Sequence, residues 1–252
     1  MHRPVVAVCL ALLCLFRAAG ASLASELTFT IDSALSQLSF SVETSDGTQI
    51  SSPQTSGSDT TSLSGTVKVD VTSATVQFLS TGNTQFALQS LPQSPLPSGA
   101  SGAAPAQFGI NVSIPGVGGG VVAARNYLGD VTSGPIPLAA SSFDANQVTS
   151  NLLVGNTAYN LTLFGNPVVG SIDTNFPALN MLAGGTLTSA GGVYTLTLPL
   201  LVKGPVTVSG ITVVDVYSGQ IVATAVVPES STLALAAVGL LGLAAWRWRR
   251  KR

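Results

Sequence analysis

The sequence predicts an all-β fold, a single antiparallel barrel or barrel-like sandwich, with an N-terminal signal helix and a C-terminal transmembrane helix at its ends. Three observations carry this expectation. Between residues 25 and 226 the chain is built from short runs of Val, Ile, Thr, Leu and aromatics that alternate with polar residues and are broken by Gly, Asn, Ser and Pro. No stretch of that region keeps a 3.6-residue apolar period. The two strongly apolar segments lie at the extreme ends, which divides the chain into residues 1–24, 25–226 and 227–252. About 200 residues between them suit one β domain without further division.

The expected strands run in order as follows. Leu27–Ile31 alternates, and Gln37–Glu43 places Leu38, Phe40 and Val42 on one face. Leu63–Val71 sets Val67, Val69 and Val71 opposite Lys68 and Asp70, and Thr75–Ser80 follows. Later strands are expected at Gly119–Ala124, Gln147–Val154, Ala158–Phe164, Val193–Val202, Ile211–Tyr217 and Gln220–Val226. Ala190-Gly191-Gly192 and Ser218-Gly219 read as hairpin turns, so the last strands form a meander. Residues 44–62 and 90–105 are polar or proline-rich and read as long surface loops.

Composition excludes several kinds of chemistry. Five of the ten Lys and Arg are Arg247, Arg249, Arg250, Lys251 and Arg252, and Arg3 and Arg17 lie in the first segment. Lys68, Arg125 and Lys203 alone remain between, against ten acids, so the central region carries −7. Such a surface does not bind nucleic acid, which demands cations facing phosphates. Cys9, Cys14 and His2 all fall in the leader. The central region therefore has no thiolate nucleophile, disulfide, Cys or His metal ligand, or His-dependent triad. No cofactor and no metal are expected.

The first segment reads as a signal peptide: Arg3, a twelve-residue apolar run from Val5 to Phe16, then small residues that permit cleavage after Ala21 or after Ala24. Twelve residues make about 18 Å of helix, too short to span a bilayer. The order of these parts implies export through the Sec machinery.

The last segment has three parts: Val227-Pro228-Glu229-Ser230, an apolar stretch ending at Trp246, and the basic cluster Arg247–Arg252. Residues 230–246 number 17, the short end of a membrane span, and the cations after them act as a stop held in the cytoplasm. This ending resembles the PEP-CTERM sorting signal of Gram-negative bacteria, whose pattern is Val-Pro-Glu-Pro, an apolar helix and a run of arginines. Ser230 stands where that pattern has its second proline. The resemblance implies an exosortase-type processing enzyme as partner, cleavage near Pro228-Glu229, an inner-membrane intermediate, and delivery to the cell surface or extracellular matrix. The opening strands, Leu27-Thr-Phe-Thr-Ile-Asp32 with Ser36, Leu38, Phe40 and Val42, resemble the polyisoprenoid-binding periplasmic barrel family. That likeness implies a barrel with an apolar interior.

Inside the domain, Asp46 and Asp59 are oxygen donors of the kind Ca²⁺ uses, but their spacing favours turn chemistry. Asp130, Asp144 and Asp173 are isolated carboxylates, and a glycosidase would need two of them about 5–10 Å apart. Arg125 suits a carboxylate clamp or an ion pair with Asp130. Lys203-Gly204-Pro205 reads as a turn, and Gly116–Gly120 as a loop or strand bulge. Abundant Ser and Thr leave O-glycans open. The leading expectation is a non-enzymatic, exported, surface-sorted protein; a lipid or isoprenoid carrier and an Asp-dependent glycan hydrolase are the alternatives.

Overall fold

Val- and Thr-rich alternation puts one apolar row per strand, and a sheet built from such strands must cover that row with a second sheet. The computed structural model describes residues 25–53, 58–86, 108–173 and 177–227. The leader, the whole of the expected loop at 90–105 and the tail beyond Val227 lie outside them. The strands are β1 (Ser25–Ile31), β2 (Gln37–Glu43), β3 (Ser51–Pro53), β4 (Thr60–Val71), β5 (Thr75–Leu79), β6 (Thr84–Phe86), β7 (Gly109–Ile114) and β8 (Gly118–Thr132). They continue with β9 (Ile136–Pro137), β10 (Ser142–Phe143), β11 (Thr149–Leu163), β12 (Asn166–Asp173), β13 (Pro177–Leu179), β14 (Gly185–Ala190), β15 (Val193–Val208) and β16 (Ile211–Val226). One 3₁₀ turn, Ala145–Gln147, is the sole helical piece among the described residues. The named strands pair antiparallel throughout.

β1 and β2 are two halves of one strand. Both run along β16, first at Thr30↔Thr224 and Ile31↔Ala223, then from Gln37↔Gln220 to Glu43↔Val214. Residues 32–36 between them are stitched onto β16. Asp32 N donates to Val222 O at 2.8 Å, and Val222 N donates to the buried Ser36 Oγ at 2.9 Å. The opposite edge of this broken strand meets β4, at Ser25↔Val71 through Thr30↔Thr66 and again at Gln37↔Ser62.

β4 divides its partners between two sheets. Its second half carries β5, while its first half pairs with β6, which leads to β8 at Gln85↔Leu128. On the other flank, Ile50 N donates to Val42 O at 2.9 Å and β3 pairs with β7, which again leads to β8. Strands β2, β3, β7, β8, β6 and β4 thus close a small barrel. β14, β15 and β16 extend one wall of it as a meander, and β11 with β12 extends the other. The interior is filled by Phe29, Phe40, Phe78, Phe108, Leu63, Leu196, Leu198 and Ile221, all essentially inaccessible. Each such side chain contributes about 1.5–3 kcal/mol by leaving water.

Asn180 ties the two extended walls together. It is 1% exposed. Its Nδ2 donates to Pro199 O at 2.7 Å and Ala145 O at 3.1 Å, and its Oδ1 accepts from Leu201 N at 2.8 Å. One amide side chain thereby satisfies backbone groups of β15 and of the turn before β11, where no strand partner serves them.

Several expectations change. Ser218 and Gly219 are not a turn: β16 runs unbroken, with Leu201↔Ser218 and Leu200↔Gly219. Gly219 is there because a Cβ would overlap Gln37 O of the neighbouring strand. The turn falls instead at Ser209-Gly210, both at positive φ. Lys203-Gly204-Pro205 is not a turn either; it lies within β15, with Lys203 paired to Val216. The strands expected at 147–154 and 158–164 are one strand, β11, with register shifts between Leu152 and Asn156. The loop at residues 44–62 contains β3, which helps close the barrel. Ala190-Gly191-Gly192 is a turn as expected, with both glycines at positive φ.

Replacing Asn180 by Ala should lower unfolding free energy by about 3 kcal/mol, since it strands a buried N–H and two carbonyls. Urea unfolding midpoints of the two proteins check this.

Candidate functional site

Two places in the fold hold the residues with functional character: the end from which the tail departs, and a polar island inside the barrel.

The tail departs without a linker. β16 is zipped to β15 up to Val193↔Val226, and Val227 N still donates to Gly192 O at 2.8 Å. Pro228 follows directly and has no N–H to offer a ladder. Val226 is 76% exposed, whereas Ala225 and Ala223 below it are buried. The same end of the domain carries the start of β1. Leu27 and Val227 both line a cleft of about 590 Å³, with Val71, Leu138, Leu187 and Tyr194 among the walls. Leader and tail therefore join the domain at one end. Of the residues expected to act in sorting, Val227 alone is described. Pro228, Glu229, Ser230, the cations Arg247, Arg249, Arg250, Lys251 and Arg252, and the leader positions Ala21 and Ala24 lie outside the described residues. Among the described residues, no helix is long and apolar enough to cross a membrane.

The polar island lies where β16 faces β8 and β11. Tyr217 stacks on Phe40, with ring centroids 4.9 Å apart and 12° between planes. Tyr127 Oη meets Thr157 Oγ1 at 2.6 Å and Tyr217 Oη at 3.3 Å. Two residues along β16, Asp215 points into the same interior. It is 2% exposed, its Oδ2 has no hydrogen-bond partner, and it lines a cavity of about 40 Å³ with Val42, Val122, Thr157 and Leu161. Burial pushes its carboxyl up to about 7. Burial, with the neighbouring Tyr127 and Asp215, likewise holds the Tyr217 hydroxyl well above its ordinary value.

Sequence reasoning missed Asp215. The signal was present as the alternation Val213, Asp215, Tyr217, which sets a carboxylate in an inward-facing row. The acids it did single out have local duties. Asp46 Oδ1 accepts from Thr48 N at 3.1 Å and from the Thr44 hydroxyl, which holds its carboxyl below the usual range. Asp59 meets Thr60 Oγ1 at 3.4 Å. Asp130 accepts from the Ser80 hydroxyl and from Asn151 Nδ2 at 2.7 Å. Asp144 precedes the 3₁₀ turn and makes no side-chain cap. Asp173 is the last residue of β12, and Arg125 is half-buried in β8, its register partner Asn156. Lys203 Nζ on β15 pairs with Glu43 Oε2 on β2 at 2.6 Å, reaching over the intervening β16. Gly118–Gly120 opens β8, squeezed between β7 and β11. Among the described residues, no three acids, His or Cys stand together as metal ligands would.

An all-β domain whose last strand runs straight into a short motif, an apolar stretch and a basic end defines a class: exported domains carrying a C-terminal sorting signal. Residues 226–251 match the PEP-CTERM protein-sorting motif. The tail therefore carries a PEP-CTERM protein-sorting motif, a match confined to those residues, which supports export and processing by an exosortase. No curated protein and no solved structure gives a match to the chain, so the likeness of the opening strands to the polyisoprenoid-binding family has no support beyond those residues.

Asp215 binds a proton in the native state between about pH 4 and pH 7 that the unfolded chain has released. Its contribution to stability is therefore most favourable below about pH 4, declines as pH rises to 7, and is constant above. Asp215→Asn should melt several degrees higher than the natural protein at pH 8 and within a degree or so of it at pH 4. Melting curves across that range test the assignment, and a gap that does not vary with pH refutes it.

Proposed function

We propose that this is an exported, non-enzymatic protein of the cell envelope or extracellular matrix, freed from an inner-membrane intermediate by exosortase processing of its tail. The observation that carries this reading is the sorting motif grafted directly onto the last strand of an all-β domain. The leader supports export, with the large domain on the outer side and the Arg247–Arg252 cluster in the cytoplasm.

The domain's own chemistry agrees with a structural role. It has no His and no Cys outside the leader. Its singled-out carboxylates Asp46 and Asp130 are spent on local hydrogen bonds. Two cavities among the described residues, about 60 and 40 Å³, are far smaller than the roughly 300–1,000 Å³ of sites that enclose a small ligand, while the cleft of about 590 Å³ beside Leu27 and Val227 is of that size and lies at the end where the tail departs rather than within the barrel. Ser- and Thr-rich outer faces offer sites for O-glycans and a poorly charged surface suited to matrix contacts.

Intact mass of the protein recovered from the cell surface and medium tests the reading. The expected mature chain begins after Ala21 or Ala24 and ends near Pro228-Glu229, with any excess mass accounted for by glycans. A mature pool that retains Arg247–Arg252 overturns processing and leaves a membrane-anchored β domain.

A further inference from the structure

The sorting motif and the fold overlap. The match begins at residue 226, and Val226 and Val227 are the last rungs of the β15–β16 ladder. A strand advances about 3.3 Å per residue. The Pro228–Glu229 bond therefore lies roughly 3–7 Å from the last backbone hydrogen bond of the domain. A peptidase cleft must surround several residues of extended chain, and here the two residues before Pro228 are held in the β15–β16 ladder. Peeling two residues from β15 would add about 7 Å of reach.

The burial pattern says how far peeling goes at small cost. Val226 is 76% exposed and its partner Val193 is also exposed, so separating them returns little apolar surface to water. The pairing of β16 with β1 stops at Thr30↔Thr224, so among the described residues β15 is the strand that grips Val226 and Val227. Below them Ala225 and Ala223 are buried, and the ladder is gripped from both sides at Thr224. Strand ends with few buried contacts open at far lower free energy than the rest of a fold.

We infer that Val226 and Val227 are a peelable end, and that the processing enzyme engages them as an extended strand after they leave Gly192 and Val193. The domain end and the enzyme thus compete for the same backbone groups. This rests on the proposed processing of the tail, and it adds the surface at which domain and enzyme meet: the β14–β15 turn with the terminal rungs of β16.

Val193↔Val226 is a non-hydrogen-bonded pair, next to the bonded rung at Gly192 and Val227, so its Cβ atoms are close enough for a disulfide. The test compares the full chain in its exporting host with the double variant Val193→Cys/Val226→Cys, reading the processed fraction by intact mass. The locked protein should be processed about tenfold less, the consequence of blocking a low-cost opening. Val193→Cys alone and Val226→Cys alone control for side-chain recognition and should be processed as the natural chain is. Inserting Gly-Ser-Gly-Ser-Val-Val after Val227 in the locked variant, which leaves an intact Val-Val-Pro-Glu sequence beyond the lock, should restore processing by supplying the missing reach. Processing of the oxidised double variant at the natural rate overturns the inference and leaves the proposed function intact. Absence of processing in the natural chain removes both. A locked variant that stays unprocessed with the insertion overturns the reach argument.

Discussion

The backbone ladder of β16 is the interaction on which the rest of the domain depends. Over residues 211–226 it holds β15 rung by rung on one edge. On the other edge it holds β2 and then β1, the two halves of a single broken strand. Through β1 and β2 it reaches β4, and through β4 it reaches both walls of the barrel. The inward row of the same strand supplies Ile221, Tyr217 and Asp215 to the interior. Its last residues begin the sorting motif. Core, closure and tail are thus three uses of one strand.

Buried polar groups take two forms in this fold. Asn180 and Ser36 are fully matched, and each completes backbone hydrogen bonding at a place where strands separate. Such groups fix geometry because the alternative is an unpaired amide in an apolar interior. Asp215 is the opposite case. It has apolar neighbours and an unmatched oxygen, and the protein accommodates it by raising the proton affinity of the carboxyl. The hydroxyl groups of Tyr127, Thr157 and Tyr217 meet one another in the same part of the interior.

Alternation alone located β2 to the residue and placed β1, β4 and β5 within a few residues. Those strands have one buried face and one wet face, and a period of two follows directly. It failed where the meaning of a residue lay in a neighbouring strand. Gly219 reads as a turn in sequence but marks a close approach of β2. Gly155 splits β11 on paper, yet the strand continues through an irregular register against β8. Pro205 suggested a break, but β15 continues through it to Val208. At the tail, the tripartite pattern is a local signal, and the sorting motif it pointed to is matched at residues 226–251. Asp215 was not, because an isolated acid gains significance only when both sheets covering it are known.

The pairing of β1 with β16 also sets a timetable. A chain exported from its N-terminus delivers Leu27, Phe29 and Ile31 first, while their partners near Ala223 come almost last. If export keeps pace with synthesis at about 5–20 residues per second, that wait is roughly 10–40 s. Contacts of such long sequence separation form slowly even once both partners are present. Through this interval β1 can pair with β4 on one side, but the edge that β16 will cover stays open, the kind of surface that recruits other chains. The sparse charge that suits the finished surface gives no repulsion to protect it.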